Sequence, residues 1–591
     1  MTRPARSKDR RSATISTATV ARASRLWPAL ILLAGVATYA NGLTNPFIFD
    51  DFGSVVRNTT IRDLADLGAV LAPPPETPVA YRPLVNLSFA INYAMGGVNV
   101  LGYRVVNLAL HLACALLIFG LARRALEVTS QRTVALAGAI ALLWAVHPLN
   151  SEVVDYVSER TDSMMALCYL GALYAIVRAH GSARPGRWRI ASVAVCAAGM
   201  ACKESMVTAP IVIALYEAVY LSGTSSTWIG GAIGRVLRTH WRSYAALVAT
   251  WALLVPSLIA RGSISSGGFS SAETTWWNYL LNQTVMVTRY LRLTFWPSSL
   301  VNYYGWTRPL TPGDVWIPAA FLTLLALGAI VWLLRAPRVG FLAASVFILL
   351  APTSSIVAIA AEVGAERRMY LPLACIVTLV VLGADALWRR FGASAEQSRA
   401  PAKSFLAAVG ALALVLAIVT IERNREYASA VTMARTVLAR WPTPMAHHLV
   451  GAELSFAGHR DEAIAELSIA ARDYAPARYY LGRELGAAGR FDDAVEALQS
   501  FVRDEPRAPV VPLAHGLMAD AFVRLKRPGD AIPHYRVWLD ANPSNAAGWS
   551  IFGRALASTD RTTEAADAFR RALQIDPNYT PAREGLREIR K

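Results

Sequence analysis

Apolar residues are unevenly spread along this chain of 591 residues. Up to about residue 421 they come in blocks, near 26–43, 103–122, 133–147, 161–178, 189–203, 205–222, 243–260, 316–335, 339–358, 370–388 and 404–421. Each block is about the length of one membrane span, some a little short. Beyond 421 apolar positions alternate with charges at helical spacing, and no block there could cross a bilayer. The pattern predicts an all-α chain in three parts: a basic cytoplasmic segment at 1–25, a polytopic transmembrane domain at 26–421 with about eleven spans, and a helical domain at 422–591. The first block is long for a cleaved signal peptide and lacks a small-x-small site, which favours a retained signal-anchor.

Positive charge assigns the sides. Seven Lys/Arg precede the first block, and further clusters stand at Arg123, Arg124 and Arg132, at Arg178, Arg184, Arg187 and Arg189, at Arg235, Arg238 and Arg242, at Arg335 and Arg338, and at Arg389, Arg390, Arg399 and Lys403. Placing these in the cytoplasm makes eleven spans alternate consistently and leaves the C-terminal domain outside. Residues 280–296 break the alternation if counted as a span. With Arg289 and Arg292 on an otherwise apolar stretch, they read as an amphipathic helix at the outer interface, as does 83–100.

The C-terminal part repeats. The turns GHRDEA, GRFDDA, KRPGDA and DRTTEA end in Ala463, Ala494, Ala531 and Ala565, at steps of 31, 37 and 34 residues, and helices close at Pro506, Pro543 and Pro577. A period near 34 with a small residue at the helix crossing is the signature of the tetratricopeptide repeat (TPR). About four repeats would form a short α-solenoid, read here as a surface for a protein or peptide partner rather than a spacer.

Composition adds two exclusions. The formal charge of +17 suggests nucleic acid, but the arginines lie between hydrophobic blocks, where they orient spans. The five cysteines fall in or beside apolar blocks with no C-x-x-C pair, so they predict neither a zinc site nor a disulfide framework.

Charges outside the cytoplasmic clusters gather on the predicted outer side. They are Asp50 and Asp51 in NPFIFDDFGSVVRN, Arg82 in YRPLVNLSF, and His147, Glu152, Asp155, Glu159, Arg160 and Asp162 in HPLNSEVVDYVSERTD. Lys203 and Glu204 in CKES, and Glu362, Glu366, Arg367 and Arg368 in EVGAERRMYLP, complete them, while Asn107 and His111 share a helix face nearby. Such a set suits transfer of a sugar from a lipid-linked phosphate. Arg82, Lys203, Arg367 or Arg368 would hold the charge developing on the leaving phosphate, and a carboxylate would take the proton of the attacking hydroxyl. Each residue also has a plain structural reading: Asp50 or Asp51 as a helix cap, His147 as a span terminator, Lys203–Glu204 as an ion pair, and Glu152, Arg160 and Asp162 as an interfacial network.

The order of these motifs resembles the transmembrane and tetratricopeptide-repeat O-mannosyltransferase family, in a bacterial form; FDD, HPLNSE and ERRMYLP carry most of the likeness. The resemblance implies a GT-C glycosyltransferase fold. It also implies a polyprenyl-phosphate-linked sugar as donor, mannose for the family, and a protein hydroxyl as acceptor on the periplasmic face of an inner membrane. Carried over, it makes Asp51 the base and Asp50 its partner, Glu152 and Asp162 further site residues, and Arg367 and Arg368 phosphate ligands. The substrate-binding set then comprises Arg82, His111, His147, Glu152, Asp162, Lys203, Glu204, Glu366, Arg367 and Arg368. Thr161 in ERTD departs from the family's Arg-Ala-Asp, and CKES lacks the glycine that often follows its Glu. A carboxylate pair could also hold Mg²⁺ or Mn²⁺. Three alternatives stand beside this reading: the same chemistry on an envelope glycan or lipid, a membrane-anchored TPR adaptor without catalysis, and a transporter.

Overall fold

A computed structural model describes residues 24–127, 130–222, 229–255, 275–356, 362–392 and 403–589. Most of the basic segment expected at 1–25 therefore lies outside the described residues, as do 256–260 and Arg399. No strand occurs among the described residues. Those up to Met433 form one compact unit, and those from Ala434 onwards a second.

In the first unit every predicted apolar block is helical over most of its described residues. Among the described residues seven helices are long and apolar enough to cross a membrane: Val100–Ala125, Val157–His180, Glu204–Leu221, Pro312–Arg335, Pro337–Ser354, Pro372–Arg390 and Lys403–Ala428. An eighth span would be the pair Gln131–Ala145 and Pro148–Asp155, bent by 54° where Pro148 cannot continue the hydrogen-bond ladder. The expected count of eleven is thus not reached on length and hydropathy. Helices 24–39, Pro185–Met200 and Trp241–Ala249 form where the other blocks lie but are shorter. Pro312–Arg335 shows what the solvent of this unit is: only 6% of its central window is buried, and Trp316, Leu324, Leu327, Ile330 and Trp332 point outwards. Such a surface needs lipid around it.

Trp276–Phe295, the segment that broke the alternation, is a 20-residue helix outside the candidate spans. Thr275 caps it by accepting from Asn278 N–H at 3.1 Å. One face buries Tyr279, Gln283, Met286, Tyr290 and Leu293, while Trp276, Trp277 and Trp296 at its ends stay exposed, an interfacial distribution.

The second unit consists of helix pairs: Pro444–Phe456 with Arg460–Ala470, Ala475–Ala487 with Phe491–Asp504, Val511–Arg524 with Pro528–Ala541, and Ala546–Ala557 with Thr562–Ile575, closed by Thr580–Glu588. Ala463, Ala494, Ala531 and Ala565 are all buried at the crossings, and a Cβ on Gly482 would strike Leu498. The first residue of every turn motif is left-handed: Gly458 and Gly489 at φ +83° and +82°, Lys526 and Asp560 at +60°. The first two turns have the residue this conformation favours, and the last two carry side chains there.

Lys526→Gly is therefore expected to stabilise its repeat by about 1 kcal/mol. Hydrogen exchange across 511–541 in the intact protein should slow, and Gly489→Lys should speed exchange across the preceding repeat.

Candidate functional site

The chain leaves the helix 24–39 and turns back on itself at Phe49, a non-glycine residue held at φ +44°. Its neighbourhood is over-determined. Ile48, Tyr156, Tyr427 and Met433 form a buried cluster with Phe49 packed against it, and Arg104 ties the loop down. Arg104 donates to the carbonyls of Asn45 (2.9 Å), Pro46 (2.8 Å) and Asp155. Strain of this kind persists only where the surroundings impose it.

The turn sends the two aspartates to different environments. Asp51 is completely buried, and both of its oxygens are taken. Oδ1 accepts from Ser158 N–H (2.8 Å) and Ser158 Oγ–H (2.7 Å), and Oδ2 accepts from Ile48 N–H (3.2 Å). Burial pushes its carboxyl up to about 6, with the Ser158 and Ile48 hydrogen bonds opposing. Asp50 is exposed to solvent, although protein atoms crowd its carboxyl. Its backbone N–H donates to the Tyr156 hydroxyl at 2.9 Å. Loss of hydration raises its carboxyl above the ordinary aspartate value and Glu362 adds to this, while Arg367, Tyr156 and Arg82 pull the other way.

Beside Asp50 lies a network centred on one guanidinium. Arg367 Nη1 donates to Glu152 Oε1 (2.6 Å), Nη2 to both oxygens of Glu362 (2.7 Å each), and Nε faces Glu159 Oε2 (3.1 Å) and Asp162 Oδ2 (3.9 Å). Its backbone N–H also reaches Glu152 Oε2 at 3.0 Å. Asp162 holds Lys203 Nζ at 2.5 Å. Arg368 donates to the Glu362 carbonyl (2.9 Å) and lies 3.4 Å from Tyr279 Oη and Gln283 Oε1. Arg82, half-buried after the left-handed Tyr81, has looser partners: the Pro78 carbonyl at 3.2 Å and Glu204 Oε2 at 3.8 Å. The four sequence groups therefore meet around Asp50.

Three predicted binding residues are placed elsewhere in role. His111 is buried, with Nδ1 on Tyr370 Oη (2.8 Å), Nε2 on the Ala145 carbonyl (2.9 Å) and its ring stacked on Trp144. His147 is likewise used up: Nε2 meets the Thr294 carbonyl (3.0 Å) and Nδ1 accepts from Leu149 N–H (3.2 Å), which caps the short turn after the bend. Glu366 is buried and accepts from Val301 N–H and Tyr304 Oη–H, both at 2.7 Å; burial pushes its carboxyl up to about 7. Neither histidine has a nitrogen left for substrate. Arg160, on the network's sequence motif, instead faces inwards to Asn107 Oδ1 (2.7 Å), Asn92 Oδ1 (2.6 Å) and the Tyr103 carbonyl (2.8 Å).

Sequence reasoning passed over Arg104, Tyr156, Ser158, Tyr279 and Gln283. For Arg104 a signal existed: an arginine beginning a 26-residue apolar helix needs a partner. The others are neutral and gain meaning only from contacts. Among the described residues no three His, Cys, Asp or Glu side chains group as a metal site. The aspartate pair does not offer one either, because Asp51 spends both oxygens on protein donors, so a divalent ion does not fit there.

With this geometry in place, the comparisons can be set beside it. Residues 77–259 match the family described as dolichyl-phosphate-mannose-protein mannosyltransferase, and 479–546 and 517–580 match the tetratricopeptide repeat. The chain is 29% identical over 320 residues to protein O-mannosyl-transferase Tmtc1 of Drosophila melanogaster, covering 50% of this chain and 36% of that protein. It is 32% identical to Tmtc2 of the same fly over 30% of this chain and 20% of that protein, and 31% identical to human TMTC4 over 31% and 28%. The matches thus span about a third or less of those relatives' lengths. Among solved structures, MamA MSR-1 C2 aligns at 23% identity over 25% of this chain and 84% of that protein with a TM-score of 0.23, too low to bear on the fold.

The two aspartates should respond differently to substitution. Asp51→Ala leaves the buried N–H groups of Ser158 and Ile48 without an acceptor, while the Ser158 hydroxyl keeps Ser54 Oγ at 3.1 Å; the change is expected to cost about 3 kcal/mol, read as a lowered melting temperature in detergent. Asp50→Ala should melt within about 0.5 kcal/mol of wild type.

Proposed function

Taking the chain as one of the TMTC-like GT-C family, we propose that it is an integral-membrane glycosyltransferase. It moves mannose from a polyprenyl-phosphate donor to a hydroxyl of a protein acceptor, on the outer face of the membrane. The observation that supports this most is Asp50: a carboxylate with access to solvent, a raised pKa, and a wall of fixed charge beside it.

In this reading Asp50, in place of Asp51, is the general base. The acceptor oxygen attacks the anomeric carbon and its proton passes to Asp50. The bond from that carbon to the phosphate oxygen breaks, and the phosphate leaves with the electron pair. One displacement of this kind inverts the anomeric centre. Asp51 is a positioning residue that fixes the turn through Ser158 and Ile48. Arg82 is the cation best placed to meet the leaving phosphate, since its partners are the loosest of the four. Arg367 is committed to carboxylates and holds the site's frame; Arg368, Lys203, Glu152 and Asp162 belong to the same frame, with Glu204 loosely across from Arg82. The TPR unit would present a protein acceptor or accessory partner.

The outer-face assignment draws on three helices that each have one end in the site. Val100–Ala125 runs from Arg104 to Arg123 and Arg124, Arg160–His180 from Asp162 to Arg178, and Pro372–Gly392 from just after Arg368 to Arg389 and Arg390. Their far ends are basic, and basic ends face the cytoplasm.

With purified protein and radiolabelled polyprenyl-phosphate mannose, Asp50→Asn should lower the transfer rate by at least about a hundredfold. Arg82→Ala should act mainly on the same rate. Because the Asp50 carboxyl lies above the ordinary aspartate range, wild-type activity should fall as pH drops through that raised value, a limb Asp50→Asn should lack. A wild-type rate in Asp50→Asn would refute the assignment.

A further inference from the structure

The helix that carries Asp162 into the site ends, about 24 Å away along its axis, in a second charged region. There a cavity of about 500 Å³ is lined by Ser182, Ala183, Arg184, Arg187, Trp188 and Ala191. Arg178 lies over the Trp188 ring at 5.1 Å. Arg184 and Arg187 are exposed and have no acidic partner among the described residues. The acid packed nearest on the neighbouring elements, Glu217, is already saturated. It takes Arg189 Nη2 at 2.5 Å and Tyr244 Oη–H at 2.6 Å, with His240 Nε2 at 3.4 Å. Ile190, three residues on from Arg187 in the same helix, is 71% exposed.

We propose that this cavity holds the phosphate headgroup of an anionic membrane lipid. Each feature fits that occupant. Two unpaired guanidiniums supply donors for a phosphate, and Arg is the side chain suited to bidentate phosphate contact. A tryptophan at this level is the usual neighbour of headgroups, and the exposed Ile190, one turn on from Arg187, offers an apolar surface on which acyl chains can lie. The cavity stands at the basic end of the helices, the end that faces the anionic leaflet in the orientation proposed above. It is separate from the donor site in chemistry as well as place, having no carboxylate in its lining. The inference rests on the membrane setting of the first unit and not on the catalytic assignment, so loss of one does not decide the other.

The test uses the intact protein in neutral detergent, titrated with phosphatidylglycerol or phosphatidylcholine and read by lipid retention in native mass spectrometry and by melting temperature. Phosphatidylglycerol should be retained about thirtyfold more strongly, as two basic contacts imply. The preference should shrink at about 1 M salt, where charges are screened beyond about 3 Å. The double variant Arg184→Gln, Arg187→Gln should lose it while keeping mannosyl transfer, and Arg335→Gln, a basic residue at another span end, should keep it. If the double variant is unstable, the salt dependence and Arg184→Gln alone still decide. Equal retention of both lipids, or undiminished preference in the variants, would overturn the proposal and leave these arginines as orienting charges only. Stabilisation by glycerol phosphate or inorganic phosphate equal to that by the lipid would also overturn it, by making a soluble anion the occupant.

Discussion

The charged network of the first unit is centred on one guanidinium. Arg367 meets Glu152 and Glu362 through its terminal nitrogens and Glu159 through Nε, with Asp162 just beyond. These carboxylates come from three stretches: the short helix after the bend at Pro148, the start of the helix Arg160–His180, and the loop before Pro372. A charge this enclosed is tolerable only if it is paired, and each of the three guanidinium nitrogens faces a carboxylate. Burial alone would depress the Arg367 pKa; the surrounding acids reverse that and hold it well above its usual value. Removing the arginine would leave mutually repelling carboxylates facing one another, so the network has one workable composition. It sets where Glu362 stands, and Glu362 with Arg367 sets the field at Asp50.

From that frame follows the division of labour between two adjacent aspartates. The left-handed Phe49 turns the chain just before the pair, and Asp50 and Asp51 then follow with helical backbone, so their side chains leave in directions about 100° apart. Asp51 goes inwards, where protein donors fill its coordination. Asp50 goes to the open side, crowded but reachable. The raised pKa of a carboxyl fully occupied by backbone and hydroxyl donors speaks of burial, whereas the same shift on an accessible carboxyl is a resource for proton transfer.

How much of this was legible beforehand depended on the kind of signal. Apolar blocks marked the long helices of the membrane unit and the alanine spacing marked the repeats, because both are periodic and local, whereas the helix Ile229–Thr239 lies outside every block. The number of spans was less legible: 189–203 is apolar enough to fold as a helix without being long enough to cross on those terms. The charged motifs come together in the structure. Their roles did not follow, since a residue's type does not say whether its atoms are already spent. His111 and His147 look like ligands in sequence and are structural, because backbone carbonyls and Tyr370 occupy their nitrogens. Tyr156 and Ser158 look incidental and yet carry the aspartate turn. Hydrogen bonds between residues a hundred positions apart have no local signature.

The most direct test of the account is the stereochemistry of the transferred sugar. Purified protein would be given polyprenyl-phosphate mannose of defined anomeric configuration with a hydroxyl-bearing peptide, and the one-bond carbon–hydrogen coupling at the product's anomeric centre measured by NMR. Direct displacement with Asp50 as base predicts a product of the opposite configuration to the donor. Retention would require a second displacement with a group such as Asp50 acting as nucleophile in place of base, and would contradict the mechanism at its centre.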